Sequence, residues 1–167
     1  MKYLVWAASI VCLLLVVVPV SAREIGVKAG GAVVIDPSRW GGHISFEIPL
    51  SEEYPTNLAP FFEYYEKAGT KIMPLGLTLL YKARFSDYGG TVYFGAGGGV
   101  LMIRGQPGLG LVTGTDGMIT AGGGLAIGLG ERFGVYTQAR WFRSFEDQTA
   151  NNEISIQAGL QFRLGNE

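Results

Sequence analysis

Ile154-Ser155-Ile156-Gln157-Ala158-Gly159-Leu160-Gln161-Phe162-Arg163-Leu164 alternates apolar with small or polar residues for eleven positions without a break. Successive side chains of a β-strand point to opposite faces, so this segment reads as a strand with one apolar side and one polar side. Seven earlier stretches repeat the pattern. They predict strands at about Glu24 to Val34, Trp40 to Leu50, Leu58 to Tyr65, Ile72 to Phe85, Thr91 to Ile103, Met118 to Leu129 and Phe133 to Phe142. Turn formers separate them, as in Asp36-Pro37-Ser38, Lys67 to Thr70 and Gly130-Glu131. Every link is short enough for a hairpin and none offers a crossover helix. A meander of eight strands buries all its edges only by closing on itself, so the expected fold is all-β, an eight-stranded antiparallel up-and-down barrel.

The segment before the strands has a different character. Lys2 precedes an apolar run from Leu4 to Val18, which Pro19 ends before Val20-Ser21-Ala22, a small-residue cleavage site. Residues 1–22 are therefore expected to be a cleaved signal peptide, rather than a membrane anchor, leaving 23–167 as the barrel domain. Cys12 falls within that segment, so the mature chain has no thiol chemistry. Charged residues make up only 16% of the chain, against about a quarter in ordinary soluble domains, and there are 26 glycines. With Lys2 removed, 12 basic residues stand against 14 acidic ones, so the mature protein is nearly neutral. Neither a basic run nor a zinc spacing is present, and no nucleic acid, metal or cofactor is expected. Two glycine runs, 95–99 and 122–124, lead into no helix and lack the lysine of a phosphate-binding loop; they read as strand positions allowing curvature or close packing.

One face of the eight strands is free of charge. Across roughly 45 positions, among them Val27, Phe46, Phe62, Leu77, Phe94, Leu125, Val135 and Leu160, there is no Asp, Glu, Lys or Arg, where the chain's composition implies roughly seven. A soluble lipocalin-like barrel would turn this face inward and need a charged exterior. The opposite face is instead small and sparsely charged, as in Gly95, Gly97, Gly99, Thr120 and Gly122, which suits a cramped lumen. The apolar face is thus expected to meet lipid. With both termini periplasmic, alternate links are extracellular and include the two longest, 105–117 and 146–152. Trp40, Tyr64 and Trp141 would form an outer aromatic girdle, and Phe85, Phe133 and Phe162 an inner one. Pro60 and Pro74 each remove a ladder donor and are expected near strand starts, where a rim or bulge absorbs the loss.

On this pattern the chain resembles the small eight-stranded outer-membrane barrels, such as the transmembrane domain of outer membrane protein A and outer membrane protein X. The resemblance implies a bacterial outer-membrane location. Such families typically finish on an aromatic residue; this sequence ends Phe162-Arg163-Leu164-Gly165-Asn166-Glu167.

Six charges point toward the expected lumen: Lys28, Glu47, Glu63, Lys82, Arg84 and Arg140. A first hairpin turning at Pro37-Ser38 would set Lys28 opposite Glu47. Charges enclosed in a narrow lumen are costly unless paired, so these are expected to form a plugging network rather than a gated ion path. His43, Ser45 and Glu47 share one side of strand two and resemble the parts of a lipid-modifying hydrolase such as a lipid A deacylase. Side chains two apart on a strand are about 7 Å apart, beyond hydrogen-bond reach, so a structural role is preferred. The loop 105–117, with Pro107, Leu109, Leu111 and Val112 among its glycines, and the loop 146–152 are the expected contact points for an extracellular ligand or protein. The favoured function is a non-enzymatic integral membrane barrel with a structural or surface-interaction role. A lipid-modifying enzyme, a small gated pore and a soluble barrel are the alternatives.

Overall fold

The computed structural model describes residues 25–35, 38–51, 53–67, 69–85, 89–105, 114–145 and 152–165. Residues 1–24, 36–37, 52, 68, 86–88, 106–113, 146–151 and 166–167 lie outside this set, and with them the expected signal peptide and most of the two expected long loops. Eight strands follow in order: β1 (Ile25–Val34), β2 (Arg39–Pro49), β3 (Thr56–Lys67), β4 (Thr70–Arg84), β5 (Gly90–Arg104), β6 (Gly114–Gly128), β7 (Phe133–Ser144) and β8 (Asn152–Leu164). Each pairs antiparallel with its neighbours in sequence, and β1 also pairs with β8, so the sheet closes with no free edge. The β3–β4 and β4–β5 turns carry Gly69 and Gly89 at φ of 81° and 84°, a region that favours glycine.

Three details depart from the expectations. β6 begins at Gly114 rather than Met118, because Gly114 to Gly117 pair with Ile103 to Val100; the fifth link is shorter accordingly. In the first hairpin Glu47 faces Gly26 and Lys28 faces Ser45, so the register is offset by two residues from the one expected. An even offset keeps every side chain on its face, which leaves the inside–outside assignment intact. Pro60 and Pro74 are each the fifth residue of a long strand, not at its start. The β2–β3 ladder resumes on either side of a gap at Pro60, between Ser45–Phe61 and Ile48–Leu58. The β3–β4 ladder has a gap at Pro74, between Phe62–Leu75 and Tyr65–Ile72. On the other side each proline stays paired, with Leu77 and Leu101 respectively. A missing N–H thus interrupts one ladder only, and closure of the barrel supports the strand from its other edge.

Candidate functional site: a filled lumen

Alternation sorts the residues cleanly. Trp40 is 73% exposed, Phe94 58% and Leu79 52%, while Lys28 and Glu47 are 1% exposed and Glu63 is fully buried. Outward-facing charges on the strands, Glu66, Lys71, Arg104 and Arg143, stand at the strand ends away from the chain termini. Ile48 shares the outward parity but is buried, paired with Leu58.

The lumen holds more bulk than small residues and charges alone. Toward the end away from the termini, Val34, Phe61, Tyr65, Ile72, Leu101, Met118 and Phe142 pack together. Toward the terminal end, Ala59, Leu80, Tyr93, Ala126 and Tyr136 form a second group. A polar chain runs through both. Glu47 sits between two lysines, with Lys28 Nζ 2.7 Å from Oε1 and Lys82 Nζ 2.5 Å from Oε2. Lys28 Nζ also stands 3.3 Å from the centroid of the Tyr93 ring, a cation–π contact that partly replaces lost hydration. The Tyr93 hydroxyl donates to Gln138 Oε1 at 3.0 Å, Gln138 Nε2 donates to Gln157 Oε1, and Gln157 Nε2 donates to Glu63 Oε1 at 2.7 Å. Arg140 Nη1 lies 3.0 Å from Glu63 Oε1, and its guanidinium stacks 3.7 Å from the Phe61 ring centroid. Tyr65 donates its hydroxyl to Glu63 Oε2 at 2.5 Å.

Five of the six lumen charges are therefore in ion pairs: Lys28 and Lys82 with Glu47, and Arg140 with Glu63. Arg84 is exposed at the terminal mouth and has no ion pair among the described residues. The neutral linkers Gln138 and Gln157 carried no charge to mark them, although Gln157 stands on the polar side of the segment that decides the fold. The pair Arg39–Glu153, at 2.8 Å, joins β2 to β8 across β1 and becomes visible only once the barrel is closed.

His43, Ser45 and Glu47 are not assembled for catalysis. His43 Nδ1 meets the Tyr136 hydroxyl at 2.9 Å, Glu47 is held by its lysines, and no side-chain hydrogen bond joins His43 to Ser45. Among the described residues no group of three or more His, Cys, Asp or Glu is placed to hold a metal ion. The six aromatic residues expected as girdles stand toward the two ends of the outer wall, while Phe62 faces outward between them. Trp40, Tyr64 and Trp141 lie toward the ends of β2, β3 and β7 away from the termini; Phe85, Phe133 and Phe162 lie toward the other end. Phe133 and Phe162 pack edge to face at 5.3 Å.

Apolar side chains outside and charges within define a small closed barrel of inverted polarity. No protein-family model and no curated protein matches the sequence. Among solved structures, the N-terminal β-barrel domain of Pseudomonas aeruginosa OprF matches with a TM-score of 0.68 at 18% identity, over 85% of this chain and 98% of that one. Neisserial surface protein A matches with a TM-score of 0.67 at 13% identity, over 84% and 96%. Ail of Yersinia pestis, in complex with the heparin analogue sucrose octasulfate, matches with 0.53 at 16% identity, over 84% and 98%. The chain shares the eight-stranded fold of these proteins.

Proposed function

We propose that this protein is an integral barrel of a bacterial outer membrane that serves envelope structure or surface contact and has no enzymatic role. The observation that carries the reading is the outer wall. From Phe133 to Trp141, nine residues of β7 tilted by about 40° span about 20 Å, close to the height of an outer-membrane hydrocarbon band. Over that height the outward side chains, Phe133, Val135, Thr137, Ala139 and Trp141, carry no charge. Such a wall in water would be an adhesive surface far larger than a soluble monomer tolerates. In lipid it is the favoured one.

The filled lumen supports a plug rather than a channel, and the separated His43, Ser45 and Glu47 supply no nucleophile–base pair. The aromatic residues at the two ends act as interfacial anchors in this reading, and the termini face the periplasm. The links from β5 to β6 and from β7 to β8 then lie outside the cell, where a surface ligand or partner protein would be met; the heparin analogue in complex with Ail makes sulfated polysaccharides a first probe. Expression in a Gram-negative host, followed by membrane fractionation and gel electrophoresis with and without boiling, tests the assignment. Recovery in the outer-membrane fraction with heat-modifiable mobility is expected. A soluble periplasmic monomer obtained without detergent overturns it.

A further inference from the structure

The terminal mouth of the barrel is left open where the rest of the lumen is filled. A cavity of about 540 Å³ enters there and reaches as far as Lys28, Glu47 and Tyr93. It exists because lumen-facing positions near this mouth are Gly26 on β1, Gly128 on β6 and Gly134 on β7, the last two directly paired. At those three positions no side chain fills the space, and Gln161 and Arg163 of the intervening β8 line it instead.

Charge in the cavity is unbalanced among the described residues. Glu47 at the floor is already shared by Lys28 and Lys82. Arg84 on β4 and Arg163 on β8 also line the space, and among the described residues neither has a side-chain hydrogen bond or ion pair; Glu53 is the one other acid there. β4 and β8 are four strands apart in a ring of eight, so Arg84 and Arg163 line the cavity from opposite walls. Deeper in, Gln161 is only 9% exposed, faces Lys28 across the β1–β8 ladder, and has no hydrogen-bond partner at Oε1. A buried acceptor left unpaired is unfavourable, and a ligand donor would satisfy it.

We infer that this vestibule binds a small organic anion, its carboxylate or phosphate met by the guanidinium groups of Arg84 and Arg163 and its hydroxyl or amine donating to Gln161 Oε1. The volume falls within the range of small-molecule pockets and is too small for a macromolecule. Planar guanidinium groups pair with carboxylate and phosphate oxygens bidentately, and low-dielectric walls concentrate the positive field at the mouth. The inference does not depend on the membrane assignment, because the cavity belongs to the folded barrel in any solvent.

Barrel refolded in detergent and labelled with nitrogen-15 is titrated at constant ionic strength with citrate, glucose 6-phosphate and glucose. Saturable amide shifts around Gly26, Arg84, Gly128 and Arg163 are expected with citrate or the phosphate ester and not with glucose. The more tightly bound of the two distinguishes a carboxylate site from a phosphate site. Arg84→Gln and Arg163→Gln should each weaken binding about tenfold. Gly128→Leu should abolish it by filling the vestibule; a Cβ at that position would have its nearest neighbours 3.8 Å away, so the barrel is expected to accommodate it. Absence of saturation with either anion, equal binding of glucose, or unchanged affinity in the Arg84→Gln, Arg163→Gln double variant overturns the inference.

Discussion

Glu63 shows what a single lumen residue has to do. Fully buried, it takes charge from Arg140 and hydrogen bonds from Gln157 and Tyr65. Glu63→Ala leaves the guanidinium of Arg140 enclosed without a counter-charge, and a loss of about 3–5 kcal/mol is expected in urea unfolding from lipid vesicles. The Glu63→Leu, Arg140→Met pair should recover most of that loss, but not all, since Gln157 and Tyr65 each lose a carboxylate acceptor and Gln157 keeps only Ser155 Oγ. A single variant no less stable than the parent would show the pair to be ornamental. Glycines separate in the same way. A Cβ at Gly97 would run into the backbone carbonyl of Leu77, whereas at Gly31 nothing lies within 4 Å. Gly97→Val is expected to abolish folding and Gly31→Ala to leave it intact, as read from gel mobility of the refolded protein. Equal folded yields would contradict the close approach of β4 and β5.

At the scale of the strand, the two faces answer to different solvents. Leu79 lies near mid-height of the outer wall, on β4, and Leu164 closes β8 near the terminal rim. Leu79→Arg should cost about 2–4 kcal/mol and Leu164→Arg about 0–1, because the penalty for a cation on the lipid face depends on depth. Equal costs at the two positions would mean that the wall is not graded by a bilayer. This alternation was the part of the fold most legible in the sequence, since period two needs no knowledge of partners. Register was less legible: a turn at Pro37-Ser38 and one a residue earlier leave the same faces in place, so the pattern does not choose between them. The prolines misled for a related reason. Pro60 and Pro74 look like strand starts when a strand is read alone, but in a ring each strand has two neighbours and a lost donor breaks only one ladder. Within the lumen, charge identified Lys28, Glu47, Glu63, Lys82 and Arg140. Phe61, Tyr65, Leu101 and Phe142 were not singled out, because apolar residues on the polar face break the pattern that reveals the face.

Considered as a whole, the barrel has two plugs stacked along its axis, and they differ in kind. The terminal half is stopped by the Lys28–Glu47–Lys82 cluster under Tyr93, the other half by an apolar layer containing Phe61, Tyr65, Leu101 and Phe142. An ion path would require both to open together, and they share no ion pair. The intact barrel is therefore expected to be silent in planar bilayers. Lys28→Ala with Glu47→Ala widens the vestibule but leaves Phe61, Tyr65, Leu101 and Phe142 packed, with Arg140 and Glu63 held in a pair against them, so the second stop stays closed. That double variant should be silent too, although Lys82 loses its partner and stability falls. Current should appear only when Phe61→Ala and Phe142→Ala are added, by which point the lumen lacks both its charged and its apolar stop. Steady conductance from the Lys28, Glu47 double variant alone would mean that the ionic cluster is the sole barrier and that the apolar layer yields to water.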